Sequence, residues 1–225
     1  MTGDSNREDL AGLRHAERLL AAFSHSSAIG FGICDRELRY RCINKTLAAS
    51  NGMLPEAHLG NTIQEVLGPV ADVIHPSFRR VLATGQVTSK RVAGSLPSRR
   101  GTVSWIASYF PVKTSRSGVR LIGAIAIEVT ELKKLDTFIF RLTNEFVRTR
   151  DETFRTSALE LHRSVREYFA NLNTYLTAVT QHVWDLDKGT DEQLAPAIAS
   201  LDQRIVDIQS LVSAVASRFP IDEGT

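Results

Sequence analysis

Two cysteines, Cys34 and Cys42, are all that this chain of 225 residues contains. A secreted chain of this size that relied on disulfides would carry more, so the sequence predicts a reducing compartment. No apolar run comes near the ~18 residues that a membrane-spanning helix needs. Met1 to Asp9 is polar and lacks the charged-then-apolar order of a signal peptide. The expected location is the cytoplasm. Charge of one sign is also scarce. The 27 Lys and Arg residues stand against 25 Asp and Glu, and the two signs are interspersed. No basic face of the kind that holds nucleic acid results, which argues against such a partner. Metal-ligand spacing is missing too. His15, His25, His58, His75, His162 and His182 are scattered, without a Cys-x-x-Cys or His-x-x-x-His pair, so no metal site is expected. No Ser-His-Asp order or glycine-rich phosphate loop stands out.

What is present divides the chain. A hydrophobic share of 43% suffices for one or two cores. Residues 8–23 predict an amphipathic helix with Leu10, Leu13, Leu20 and Phe23 on one stripe. Residues 29–34 and 38–43 read as two strands joined by a turn at Asp35-Arg-Glu37. Asn44 can cap a short helix that ends at Asn51-Gly52. Helices over 60–67 and 70–84 follow, the second closed by Gly85. Residues 87–92, 102–112 and 119–130, rich in β-branched and aromatic side chains, predict three more strands. A basic turn at 94–101 and another at 115–118 separate them.

From Glu131 the period becomes helical, through Leu132, Leu135, Ile139, Leu142 and Phe146. Later stripe residues include Leu161, Val165, Leu172 and Leu176; a turn at 187–191 leads to Leu201, Ile205 and Ile208. The repeat is close to seven residues, with a break near 149–151 that resembles a stutter. Pro196 falls in a first helical turn, where its missing N–H costs little. One apolar stripe per helix cannot be covered by a hairpin alone. The sequence therefore predicts a parallel homodimer, closed as a four-helix bundle with those stripe residues as its seam.

Five stretches, in order, resemble the PAS sensor superfamily. Residues 32–44 resemble its first hairpin and the asparagine that opens its first helix, and His58-Leu-Gly60-Asn-Thr-Ile63 resembles a leucine-glycine loop. Residues 78–85 resemble the long helix, and Trp105 to Val112 the fourth strand. Residues 123–131 resemble the last strand and its exit, with Glu128-Val-Thr130 in place of Asp-Ile-Thr. The resemblance implies an α+β fold: a five-stranded antiparallel sheet with helices on one face and a pocket for a small-molecule ligand between them. It implies output through the helix leaving the last strand, so Glu128, Val129, Thr130 and Glu131 become the signal junction. The chain then divides into an N-terminal helix at 1–26, a sensor domain at 27–131, a helical dimerisation hairpin at 132–219 and a tail at 220–225.

Residues 131–219 resemble the dimerisation and phosphoacceptor hairpin of sensor histidine kinases. Glu160-Leu-His162-Arg163 resembles the motif Glu-Leu-His-Asp of one group. The resemblance makes His162 a candidate phosphoacceptor flanked by Glu160 and Arg163, since an imidazole in that role must meet a γ-phosphoryl group in line. Arg163 replaces the acid that serves as a base and orients the ring, and Glu167 stands where a phosphatase glutamine often lies. No ATP-binding domain follows within these residues. The expectation is a signalling protein whose sensor controls a dimeric helical output without catalysis of its own. One alternative is a phosphotransfer protein or kinase fragment using His162, with a kinase or response regulator as partner. Another is a haem sensor. His75 resembles the iron-ligating histidine of haem-binding members, with Ile63, Val66, Leu67, Val73, Val81 and Leu82 as part of an apolar wall. A flavin is disfavoured, because residues 51–67 lack the cysteine of the light-sensing branch. Cys34 and Cys42 read as small core hydrophobes. Trp105 is expected to pack on the sheet, and Tyr168, Phe169 and Tyr175 to fill a wide helical core.

Overall fold

Large and small side chains alternate along the central strands, and that alternation sets the architecture. In a computed structural model, which describes residues 19–115, 118–146, 152–185 and 194–218, five strands form one antiparallel sheet. They are β1 (Ile29–Cys34), β2 (Tyr40–Ile43), β3 (Thr88–Ser95), β4 (Thr102–Ser115) and β5 (Gly118–Glu128), in the order β2-β1-β5-β4-β3. Every residue of β1 is buried, as a central strand covered on both faces must be. Ile29 lies opposite Ile127 and Phe31 opposite Ile125, while Gly30 lies opposite Ala126 and Gly32 opposite Ala124. Because side chains alternate between faces, one face is bulky and the other nearly flat. Gly123 makes room on the bulky face. A Cβ there would stand 2.4 Å from Cζ of Phe110.

The flat face carries α2 (Lys45–Ser50), a 3-10 turn (Pro55–Ala57), α3 (Ile63–Leu67) and α4 (Pro69–Thr84). Asn44 caps α2, accepting from the Leu47 amide at 2.9 Å. Thr62 and Glu65 close a capping box that starts α3, so the helix expected from residue 60 begins at Ile63. Gly85, at φ 64°, ends α4 as expected. The second strand starts at Tyr40 rather than Leu38, because the Asp35 carboxylate accepts from the Arg39 amide and holds Leu38 at φ 59°. The third runs on to Ser95, with Gly94 inside it; a Cβ there would meet Val70 at 2.6 Å.

The bulky face carries a helical turn at 19–23 (α1) and three helices, α5 (Thr130–Phe146), α6 (Glu152–Asp185) and α7 (Leu194–Arg218). Phe23 stacks on Phe31 with ring centroids 4.6 Å apart. In α1 Leu19 and Phe23 are buried, whereas Leu20 is half-buried, a shift of one position from the expected stripe. Leu132, Leu135 and Ile139 of α5 join Phe31, Ile106, Phe110 and Ile125 in one cluster. The same cluster holds Val165, Leu172 and Leu176 of α6 and Leu201 and Ile205 of α7. These five were expected to form a seam between two copies; within one chain they are buried against α5 and the bulky sheet face. Tyr168 and Phe169 pack half-buried against this cluster. No described helix is long and apolar enough to cross a membrane. Leu10, Leu13, the break at 149–151, the turn at 187–191 and the tail at 220–225 lie outside the described residues, as do part of the 115–118 turn and the side chains of Leu142, Phe146, Leu161, Tyr175 and Ile208.

Candidate functional site

Between the flat face and α2–α4 lies a cavity of about 50 Å³. Gly32, Ala107, Ala124 and Ala126 form its floor, and Ile63, Leu67, Val70, Ile74 and Phe78 line it from the helices. Its polar groups are Tyr40, Asn51, Tyr109 and Trp105. A single water needs about 10–15 Å³ of such space. The cavity therefore admits a molecule of a few heavy atoms. It does not fit a haem: His75 is half-buried on α4, beside the lining residue Ile74, and is not itself in the wall. The porphyrin site expected around it is absent from the described residues. Burial, followed by the charges of Asp35 and Cys42, pushes the Cys34 thiol well above its ordinary range. Burial pushes Cys42 up to about 12, against a lowering hydrogen bond from Ile33. Both thiols stay protonated and pack as hydrophobes.

His58 stands behind the cavity and is fully buried. Leu54 O can only accept, so Nδ1, at 2.9 Å, carries the proton. Nε2 then accepts from Asn51 Nδ2 at 3.1 Å. Burial lowers the pKa of this ring, and the bond to Leu54 only partly opposes that. An unfolded histidine, near 6.5, takes up a proton that the folded one refuses. The stability linked to His58 is thus full above pH 6.5 and declines as pH falls from there towards the lowered folded value. Thermal melts of the wild type should lose more between pH 7 and pH 5.5 than those of His58→Asn. Parallel losses in both proteins would assign the effect to another group.

At the junction, a single residue separates the end of β5 from the start of α5. The Val129 amide donates to Ser104 O at 2.8 Å. The Ser104 amide donates to Thr130 Oγ1 at 3.0 Å, and Thr130 Oγ1 donates to Glu128 Oε1 at 3.0 Å. Glu128 Oε2 accepts from Arg99 Nη1 and from Ser50 Oγ, each at 2.8 Å. Ser50 Oγ in turn accepts from Trp105 Nε1 at 2.7 Å. Trp105 packs on the sheet as expected, and it also lines the cavity. An unbroken line of hydrogen bonds thus runs from the cavity wall to α5. Glu131 is exposed and pairs with Lys134 at 3.1 Å. Ser50 and Arg99 escaped the sequence reading. Ser50 lies 78 residues from Glu128, and no local pattern marks such a pair.

On α6, His162 is half-buried, with Nε2 3.3 Å from Asp136 Oδ1 of α5 and the Phe140 ring 5.8 Å away between centroids. Glu160 and Arg163 are exposed. Asp136 thus faces the ring with a carboxylate, whereas the motif position after the histidine holds Arg163. A second acid missed by the sequence reading is Asp202 of α7. Its Oδ1 accepts from Ser26 Oγ at 2.5 Å and from the Ala28 amide at 2.9 Å. Its Oδ2 accepts from the Ser27 amide at 3.3 Å and from Ser27 Oγ at 3.2 Å. Burial alone would raise its pKa; these donors outweigh burial and hold it below the ordinary value.

The family model for the PAS fold matches residues 24–134. No curated protein matches the chain. Among solved structures, the chain is similar to a LOV protein of Rhodobacter sphaeroides, at 14% identity over 76% of this chain and 98% of that one, with a TM-score of 0.46. It is similar to the PAS domain of BvgS from Bordetella pertussis, at 21% identity over 59% and 98%, with a TM-score of 0.45. It is also similar to a sensory box sensor histidine kinase from Vibrio cholerae, at 14% identity over 54% and 98%, with a TM-score of 0.39. The matched residues run from before β1 into α5 and enclose both the cavity and the junction. Over residues 24–134, then, the chain is similar to the PAS fold.

Proposed function

We propose that this is a cytoplasmic signal-transduction protein in which a sensor at 27–131 governs an output module at 132–219 without catalysis of its own. The observation that supports it most is the line of hydrogen bonds from Trp105 through Ser50 and Glu128 to Thr130. A small molecule that alters the cavity wall changes the position of Trp105. Glu128 holds both Ser50 and the first residue of α5, so the change is passed to the helix. In this reading α6 and α7 pair with those of a second copy, and the pair docks a protein partner, a kinase or a response regulator.

Hydrogen exchange tests the coupling. Trp105→Phe keeps an aromatic ring and removes the Nε1 donor, a loss worth about 1 kcal/mol, or about fivefold in an opening equilibrium. Exchange in the first turns of α5 should rise by about that factor. With a Gly-Ser segment inserted after Glu131, the same substitution should leave α5 unaffected. If α5 exchanges at the wild-type rate in Trp105→Phe without the insertion, the coupling route is wrong.

A second reading, phosphotransfer through His162, is favoured by Asp136. Its carboxylate stands at Nε2, supplying the acid that Arg163 replaces in the motif. It requires an ATP-binding domain, which these residues do not include. Its signature is phosphohistidine that forms with an added kinase and vanishes in His162→Ala.

A further inference from the structure

The side chains expected to join two copies are already occupied. Val165, Leu172, Leu176, Leu201 and Ile205 are each at most 3% exposed within one chain. They cannot be buried on the sheet and on a second copy at once. Their near-seven-residue spacing suits a partner helix, since it draws a narrow seam along each helix. The fit to the sheet is incomplete on one side. A groove of about 900 Å³ runs between the junction and the two long helices, with Glu128 and Leu132 on one wall and Leu172, Ile205 and Gln209 on the other. Along that side the helices meet water rather than the sheet.

Asp202 holds them there. It lies next to Leu201 on α7 and takes four hydrogen bonds from Ser26, Ser27 and Ala28, just before β1. Bonds to an ionised acceptor are roughly twice as strong as neutral ones. The same segment is fixed to the sensor, for Ser26 Oγ accepts from the Ile29 amide at 2.9 Å and Ser26 O accepts from Thr46 Oγ1 at 2.5 Å. Asp202 is only half-buried, and Ser27 is exposed. Water can therefore replace these donors when the helix leaves. We infer that Asp202 latches a closed state, and that its release frees α6 and α7 to pair with a second copy of this chain through those five apolar residues. The inference rests on the proposed pairing and adds what controls it. α5 stays on the sheet in both states, because the junction ties it and Leu132, Leu135 and Ile139 keep part of the bulky face covered.

The test is sedimentation of the full chain at 2 and 50 μM, with circular dichroism as a check on folding. The wild type should be mainly monomeric at 2 μM. Asp202→Lys should keep its secondary structure and dimerise at least tenfold more tightly. A folded Asp202→Lys that stays monomeric at 50 μM overturns the latch, and the pairing in the proposed function with it. Equal dimerisation of both proteins overturns the latch but leaves the pairing standing. Should Asp202→Lys unfold, Ser27→Cys with Asp202→Cys decides. Oxidised, it should be monomeric, and reduced, it should dimerise; the same state in both forms overturns the proposal.

Discussion

Asn44→Ala should cost the protein about 4 kcal/mol and lower its melting temperature by about 10–15 °C. Asn44 is 3% exposed, and its side chain serves four backbone groups. Oδ1 accepts from the amides of Phe31 and Leu47, each at 2.9 Å. Nδ2 donates to Phe23 O at 3.0 Å and to Ile29 O at 2.8 Å. Alanine removes all four partners and lets no water in, and a buried unsatisfied group costs about 1–3 kcal/mol. Sharing by other partners keeps the total below the simple sum. Asn44→Asp separates the two halves of the amide, since it keeps the acceptor and loses both donations; it should fall between alanine and wild type. An alanine variant that melts within about 3 °C of the wild type would remove Asn44 from its place at the meeting of α1, β1 and α2.

Leu201→Lys combined with Ile205→Lys should detach α7. Both side chains are 2% exposed, one turn apart on the same face. Two ammonium groups would be forced into an apolar cluster, and the pair should cost about 5 kcal/mol or more. Residues 194–218 should lose their exchange protection and become open to proteases, while the cavity-side amides of β1 and β5 stay protected. The concentration dependence carries the argument. With the seam covered inside one chain, the loss is the same at 2 and 50 μM. A loss that shrinks as concentration rises would place these residues between two copies.

Local chemistry made much of the sheet and its flanking helices legible. The first hairpin, the Asn44 cap, the end of α4 at Gly85 and the exit at Glu128–Glu131 each depend on residues within a few positions of one another. Boundaries slipped where a side chain intervened. Asp35 cut the second strand short and the Thr62–Glu65 box delayed α3, because both substitute side-chain hydrogen bonds for backbone ones. His75 illustrates a different limit of local chemistry. Its neighbours are of the right type for a haem wall, but residue type does not report volume, and side chains that fill the space leave about 50 Å³.

By itself the sequence determined periodicity: strands in which large and small residues alternate, an asparagine poised to cap, and two long helices with one narrow apolar stripe each. These follow from bonding and spacing along the chain. What that stripe packs against was decided only by the tertiary structure, because an apolar face has no direction and accepts any apolar surface that reaches it. Here that surface is the bulky sheet face together with α5. Asp202, 176 residues from Ser26, sets the register of that contact through hydrogen bonds that do have direction. No window of sequence contains both residues, so only folding could reveal them as partners.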